Sequence, residues 1–138
     1  LNVETGVIRA LTGRNGPEGE PAVSPDGKWI AFTGFDDAGR AYEADELYLM
    51  PRSGGSIRSL TPRLDRAVSS PVWAADSRAI YVSFEDKGTT RVARVGLDGS
   101  IRTVAEGLTG SALDRPYTGG EFSVARDGTV AATVGGSL

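Results

Sequence analysis

Five carboxylates crowd into one short stretch of this sequence, Phe35-Asp36-Asp37-Ala38-Gly39-Arg40-Ala41-Tyr42-Glu43-Ala44-Asp45-Glu46. Paired carboxylates complement an ammonium group through charge-assisted hydrogen bonds, so Glu43, Asp45 and Glu46 are candidates for binding a cation of that kind. Calcium is the other partner such oxygens suit, at Asp36, Asp37, Glu43, Asp45 and Glu46. Their spacing matches no ordered calcium loop, and no metal site is expected. A solvated surface loop is the plainer reading of the same charge run. Arg115-Pro116-Tyr117 sets a cation and an aromatic on either side of a rigid proline, a second candidate contact. Its plainer reading is a connection fixed by Pro116.

Nucleophilic chemistry has no residues to work with. The chain contains no His and no Cys, and no G-x-S-x-G elbow occurs. Without cysteine, disulfides and thiolate metal sites are excluded. Gly27-Lys28 lacks the upstream Gly and following Ser or Thr of a phosphate-binding loop, and Ser53-Gly54-Gly55-Ser56 and Asp98-Gly99 read as hairpin turns. No cofactor is expected. A net charge of −3 argues against a nucleic-acid surface, which needs clustered Lys and Arg. No apolar run approaches the roughly 18 residues of a membrane helix. The sequence starts at Leu1, inside a strand pattern, so any targeting segment is expected outside it, and the compartment is left open.

The elements that position these residues are legible from two interleaved repeats. Gly6-Val7-Ile8-Arg9-Ala10-Leu11-Thr12 recurs as Gly55-Ser56-Ile57-Arg58-Ser59-Leu60-Thr61, 49 residues on, and as Gly99-Ser100-Ile101-Arg102-Thr103-Val104-Ala105, 44 further. Between them, Val23-Ser24-Pro25-Asp26-Gly27-Lys28-Trp29-Ile30-Ala31-Phe32 returns as Trp73-Ala74-Ala75-Asp76-Ser77-Arg78-Ala79-Ile80-Tyr81-Val82. A degenerate third copy is Val124-Ala125-Arg126-Asp127-Gly128-Thr129-Val130-Ala131. Two motifs alternating at this period match a four-stranded β-propeller blade.

The pieces read as strands. Asp26-Gly27 and Asp127-Gly128 supply the positive φ a tight hairpin needs, and Asp76-Ser77 does so less well. Trp29–Phe32, Leu47–Met50 and Ala79–Phe84 are apolar on successive residues, as strands buried on both faces are. Trp29, Phe32, Trp73 and Phe84 are assigned to the core. Arg9, Arg58 and Arg102 share one repeat position, where a long stem covering apolar surface is expected. The sequence therefore predicts an all-β propeller segment of about three blades of four antiparallel strands, beginning and ending mid-blade. Residues 1–12 are expected as an outer half-blade, 13–61 and 62–105 as whole blades, and 106–138 as an inner half-blade with its strands in 117–135.

Ser24-Pro25-Asp26-Gly27-Lys28-Trp29-Ile30-Ala31-Phe32-Thr33 resembles the PD40 or TolB-type repeat. With Leu47-Tyr48-Leu49-Met50, Leu60-Thr61-Pro62, Pro71-Val72-Trp73, Val92-Ala93-Arg94-Val95 and Arg115-Pro116-Tyr117-Thr118-Gly119-Gly120, the chain resembles the N-terminal propeller of S9 (prolyl oligopeptidase) serine peptidases. Within these, the acylaminoacyl-peptidase and dipeptidyl-peptidase-like branch is nearest. Ala74-Ala75-Asp76-Ser77 departs from the usual Ser-Pro-Asp-Gly. The resemblance implies a non-catalytic domain that filters and orients peptides for an α/β-hydrolase domain, which would be its partner. No catalytic residue maps onto this chain. In that setting Glu43, Asp45, Glu46, Arg115 and Tyr117 are the expected peptide contacts. The alternatives are a TolB-like interaction propeller with no enzymatic domain and, third, a sugar- or lactone-processing propeller enzyme. Self-association is also expected, because residues 1–12 supply the outer strands that 117–135 lack, and two copies would close a six-bladed ring.

Overall fold

The computed structural model describes residues 2–112 and 115–134, with the backbone alone for the strand residues between 111 and 118. It is all-β, an open partial propeller of antiparallel sheets, with no helix among the described residues. The first four-stranded sheet runs in chain order through β1 (Glu18–Val23), β2 (Trp29–Gly34), β3 (Glu46–Pro51) and β4 (Arg58–Ser59). The second repeats it with β5 (Val68–Trp73), β6 (Ala79–Asp86), β7 (Thr89–Gly96) and β8 (Ile101–Leu108). Two hairpins follow, β9 (Gly110–Ala112) with β10 (Arg115–Thr118), and β11 (Phe122–Val124) with β12 (Val130–Ala132).

Strand alternation explains why β2, β3 and β6 are apolar on consecutive residues. Leu47 and Leu49 face the second sheet and pack with Leu60, Ile80, Val82, Ala93 and Val95 between the blades. Tyr48 and Met50, on the opposite face of β3, form a separate cluster with Phe32. In β6, Ala79 and Tyr81 turn away from Ile80 and join Val92, Leu108, Phe122 and Val124 against the β11–β12 hairpin. Phe32 and Phe84 are buried, and Trp29 and Trp73 are half-buried at the margin of the interblade core.

The two blades are also stitched at their innermost strands. Trp73 Nε1–H donates to the Ala22 carbonyl at 2.9 Å. Glu20 Oε2 accepts the Ser70 amide at 2.9 Å, and Ser77 Oγ accepts the Asp26 amide at 3.0 Å. Both inner strands carry the same β-bulge, between Gly19 and Ala22 and between Ser69 and Val72, with Glu20 at φ 49° and Ser70 at φ 55°. A bulge frees an amide from the ladder, and at Ser70 the neighbouring blade's carboxylate takes it.

Two expectations change. Residues 2–12 form no strand: they keep only a turn, with the Asn2 amide donating to Val7 O and the Gly6 amide to Asn2 O, both at 2.8 Å. An outer pair needs an inner pair beside it, and no described strand lies beside these residues. Conversely, the β9–β10 hairpin forms ahead of β11, in a stretch read as a connection. The arginines also do more than cover apolar surface. Arg9 donates to Ser53 O at 3.4 Å and Arg58 to Leu97 O at 2.5 Å, each reaching the turn before the last strand of the following blade.

Candidate functional site

The acidic insert joins β2 to β3 and is fastened at both ends. At its root, Arg14 Nε and Nη2 both donate to Asp36 Oδ1, at 3.0 and 2.8 Å, and the Asp37 amide donates to Asn15 O at 2.9 Å. At its far end the Val68 amide of the next blade donates to Asp45 O at 2.9 Å. Two glycines make the root possible. A Cβ on Gly16 would fall on the Phe35 carbonyl oxygen, one on Gly34 would fall on that of Pro17, and both residues have positive φ.

Arg14 is the hub of this arrangement. Its guanidinium carbon lies 3.7 Å from the Tyr48 ring centroid and 5.7 Å from that of Phe32, and the two rings stack at 5.5 Å. Such a cation over an aromatic face is worth about 0.5–2 kcal/mol, more as it is desolvated. With Asp36 paired to Arg14 and Asp37 Oδ1 accepting the Gly39 amide at 2.8 Å, two of the five carboxylates hold the loop's own shape.

The remaining three do not converge. Glu43 and Glu46 line a cleft of about 740 Å³ beneath the loop, together with Arg14, Tyr48, Asp65 and Arg66. Asp45 lines a different cleft of about 700 Å³, among Ser69, Ser70, Ser83 and Thr90. Successive residues entering a strand point to opposite faces, so Asp45 and Glu46 part company. Tyr42 stands exposed and borders both clefts. Burial, and then the Glu46 carboxylate, push the Tyr48 phenol above its ordinary value of 10.0, so it stays a neutral donor. The nearest cation to Glu43 Oε1 is Arg40 Nε, at 3.8 Å. The first cleft is thus a carboxylate-bearing recess with a neutral phenol and three arginines on its walls. Its carboxylates carry the charge that complements a cationic group.

Among the described residues no three or more His, Cys, Asp or Glu side chains are grouped closely enough to hold a metal ion. Arg115 and Tyr117 lie in β10, whose backbone pairs with β9 through Arg115 with Ala112 and Thr118 with Gly110. Their side chains fall outside the described residues. Sequence reading missed Arg14 and Tyr48. The signal for Arg14 was a cation bracketed by Gly13 and Gly16, and Tyr48 was hidden in an apolar strand.

This propeller geometry has a counterpart among known families. Residues 5–137 match the model of the lipoprotein LpqB beta-propeller domain. The chain belongs to that family. Parts of this LpqB-type propeller are also similar to peptidases, as the S9 resemblance implied. It is 37% identical to dipeptidyl-peptidase 5 of Aspergillus oryzae over 89 residues, 62% of this chain and 12% of that protein. Against the probable dipeptidyl-peptidase 5 of Arthroderma benhamiae it is 30% identical over 93 residues, 65% of this chain and 12% of that one. The peptidase YuxL of Bacillus subtilis, described as uncharacterized, is 38% identical over 64 residues, 46% of this chain and 9% of its own length. The chain therefore spans about a tenth of the length of these relatives. A solved structure described as TolB, from Agrobacterium tumefaciens, superposes with a TM-score of 0.63 over 75% of this chain and 39% of its own, at 20% identity, a likeness of fold.

Proposed function

We propose that this LpqB-type propeller is a non-catalytic segment of an S9-type serine peptidase, where it admits and orients peptides for a separate α/β-hydrolase domain. The observation that carries the reading is the similarity to dipeptidyl-peptidase 5 across more than half of this chain, in a sequence with no His, no Cys and no nucleophile elbow. Within the reading, Glu43 and Glu46 hold the ammonium end of a peptide in the cleft beneath the 35–46 loop. The neutral Tyr48 phenol and the Arg14 platform fix the shape of that cleft. Asp45 belongs to the neighbouring recess and contributes through its backbone anchor. Arg115 and Tyr117 sit on the next hairpin along the chain and are proposed as further peptide contacts.

The family's description, a propeller of a lipoprotein, favours a second reading as an interaction propeller with no enzymatic domain. One experiment separates the two. The intact protein carrying this sequence is assayed on aminoacyl and acylaminoacyl chromogenic amides, with and without a serine-directed inhibitor. Inhibitor-sensitive turnover supports the peptidase, and the 138-residue chain alone should turn over neither amide. Glu43→Gln with Glu46→Gln should then raise KM about tenfold for free-amine peptides, the loss of roughly one charge-assisted contact, and spare N-acylated ones. An equal effect on both substrates removes the ammonium role and leaves a solvated loop.

A further inference from the structure

The cleft that Asp45 lines borders the first one along a ridge of Tyr42, Asp65 and Arg66. Its walls all come from the middle of the chain, between Tyr42 and Gly120. The insert supplies Asp45, the bulged strand β5 supplies Ser69, and the β6–β7 hairpin supplies Ser83, Glu85 and Thr90. At about 700 Å³ it falls within the range of small-ligand pockets.

Charge separates this recess from the opposite end of the blades. There Asp26, Asp76, Asp98 and Asp127 each accept the amide two residues further on, within their own turns. In the recess Asp45 is half-buried and Glu85 exposed, and among the described residues neither carboxylate has an ion pair or a hydrogen bond. Arg66, the cation on its wall, is engaged elsewhere. Its Nε and Nη2 donate to Asp86 Oδ1 at 3.2 and 3.1 Å, and its Nη1 to the Asp65 carbonyl at 2.6 Å. The hydroxyls add acceptors. Ser83 Oγ donates to the Ser69 carbonyl at 3.3 Å, so the 2.9 Å contact between the two hydroxyls uses the Ser69 proton, and the pair is left with lone pairs. The buried Phe84 ring supplies an apolar surface that the methylenes of a long side chain can cover.

We propose that this second cleft takes the side chain of a lysine or arginine near the N-terminus of a bound peptide, with Asp45 and Glu85 as its charge partners. The proposal rests on the reading of the first cleft as the site of the peptide's ammonium group, and it narrows the substrate class to peptides with two positive charges at that end. One peptide reaches both recesses because Tyr42, Asp65 and Arg66 wall each of them.

The test uses the intact protein, treated with a serine-directed inhibitor so that nothing is cleaved, and follows the fluorescence anisotropy of peptides labelled at the C-terminus. Peptides carry lysine at the first, second or third position, each matched by one with norleucine, which keeps the stem and loses the charge. At one position the lysine peptide should bind about tenfold more tightly than its partner, the worth of roughly one charge-assisted contact. Asp45→Asn with Glu85→Gln should abolish that advantage and leave the norleucine peptide unchanged, since Asp45→Asn keeps the backbone carbonyl that anchors Val68. Glu43→Gln with Glu46→Gln should weaken both members of the pair equally. If it weakens neither while the lysine advantage stands, the ammonium reading of the first cleft falls and the second cleft keeps its role. Equal binding within every pair, no binding by any peptide, or an advantage that survives the Asp45, Glu85 double variant overturns the proposal.

Discussion

The two complete blades share one repeat and have been put to different uses. In the second, β6 and β7 run eight residues each and meet in a tight turn at Lys87-Gly88. In the first, the same two strands stop at six residues and open into the acidic insert, and the outer strand β4 shrinks to two. The second blade is buried on both faces, by the first blade and by β11–β12. The outer face of the first carries Phe32, Tyr48 and Met50 beneath Arg14. In the second blade ladder packs on both faces; in the first, strand length gives way to a loop whose root is held by the Arg14 guanidinium over Tyr48 and Phe32.

The largest expected effect tests how the two faces are packed. Ile80→Ala removes a fully buried side chain packed between both sheets, and should lower unfolding free energy by about 2–5 kcal/mol. Met50→Ala, on the outer face, should cost less, near the lower end of that range. Urea titrations of the two variants measure both, and equal losses would show that the outer face is as well packed as the inner.

Next in size is the guanidinium platform. Arg14→Ala should cost about 1–3 kcal/mol, since it removes two hydrogen bonds to Asp36 and the stack on Tyr48. Hydrogen exchange should quicken across residues 36–45 and stay unchanged in the β6–β7 turn. Faster exchange in both would mean the cation supports the whole sheet rather than the insert.

A smaller effect compares the two inner turns. Gly27 sits at φ 69° and its counterpart Ser77 at φ 58°, a conformation that costs a non-glycine residue roughly 1 kcal/mol. Ser77 regains about as much by accepting the Asp26 amide. Ser77→Gly should therefore be nearly neutral in a thermal melt, within about 0.5 kcal/mol. Gly27→Ala should cost about 1 kcal/mol.

Acid should separate the turns least of all. The Ser24 hydroxyl and the Lys28 amide hold Asp26 below its ordinary value of 3.8, and the Ser100 hydroxyl and amide do the same for Asp98. At Asp127 the Thr129 amide is the main cause. Carboxylates depressed in the folded state stabilise it at pH above their unfolded values and lose that contribution as pH falls through the folded ones. A modest drop in melting temperature is expected below about pH 4, blunted in an Asp26→Asn, Asp98→Asn, Asp127→Asn variant.

Much of this was legible in the residues. Hairpins at Asp26-Gly27, Asp76-Ser77 and Asp127-Gly128 were set by local turn chemistry, and the doubly buried strands by consecutive apolar residues. What escaped was whatever depended on a neighbour in space. Ser77 read as a poor glycine until its hydroxyl was seen against the next turn. The strands expected at 1–12 follow a true repeat, yet a ladder needs a second chain segment that the repeat alone does not supply. At the candidate site, Glu43 and Glu46 were found by charge, and Asp45 was grouped with them because spacing in sequence hides the parity of a strand. Arg14 lies far from the insert in sequence and meets it only across the sheet, while Tyr48, two residues past its end, was hidden among the apolar residues of its strand.

The interblade stitches at the inner strands link residues 50, 51 and 51 positions apart. Each is a bond between a site and the next appearance of nearly the same site. A tandem duplication of one full period would restore the backbone spacing at the new junction but not these bonds, because Gly27 stands where Ser77 does, Val23 where Trp73 does and Ser70 where Glu20 does. A duplication of half a period would leave the Trp73 indole, the Glu20 carboxylate and the Asp26 amide all facing the wrong strand. Each junction between blades thus carries its own side-chain key on a shared backbone spacing, and a blade gained or lost changes the key as well as the length.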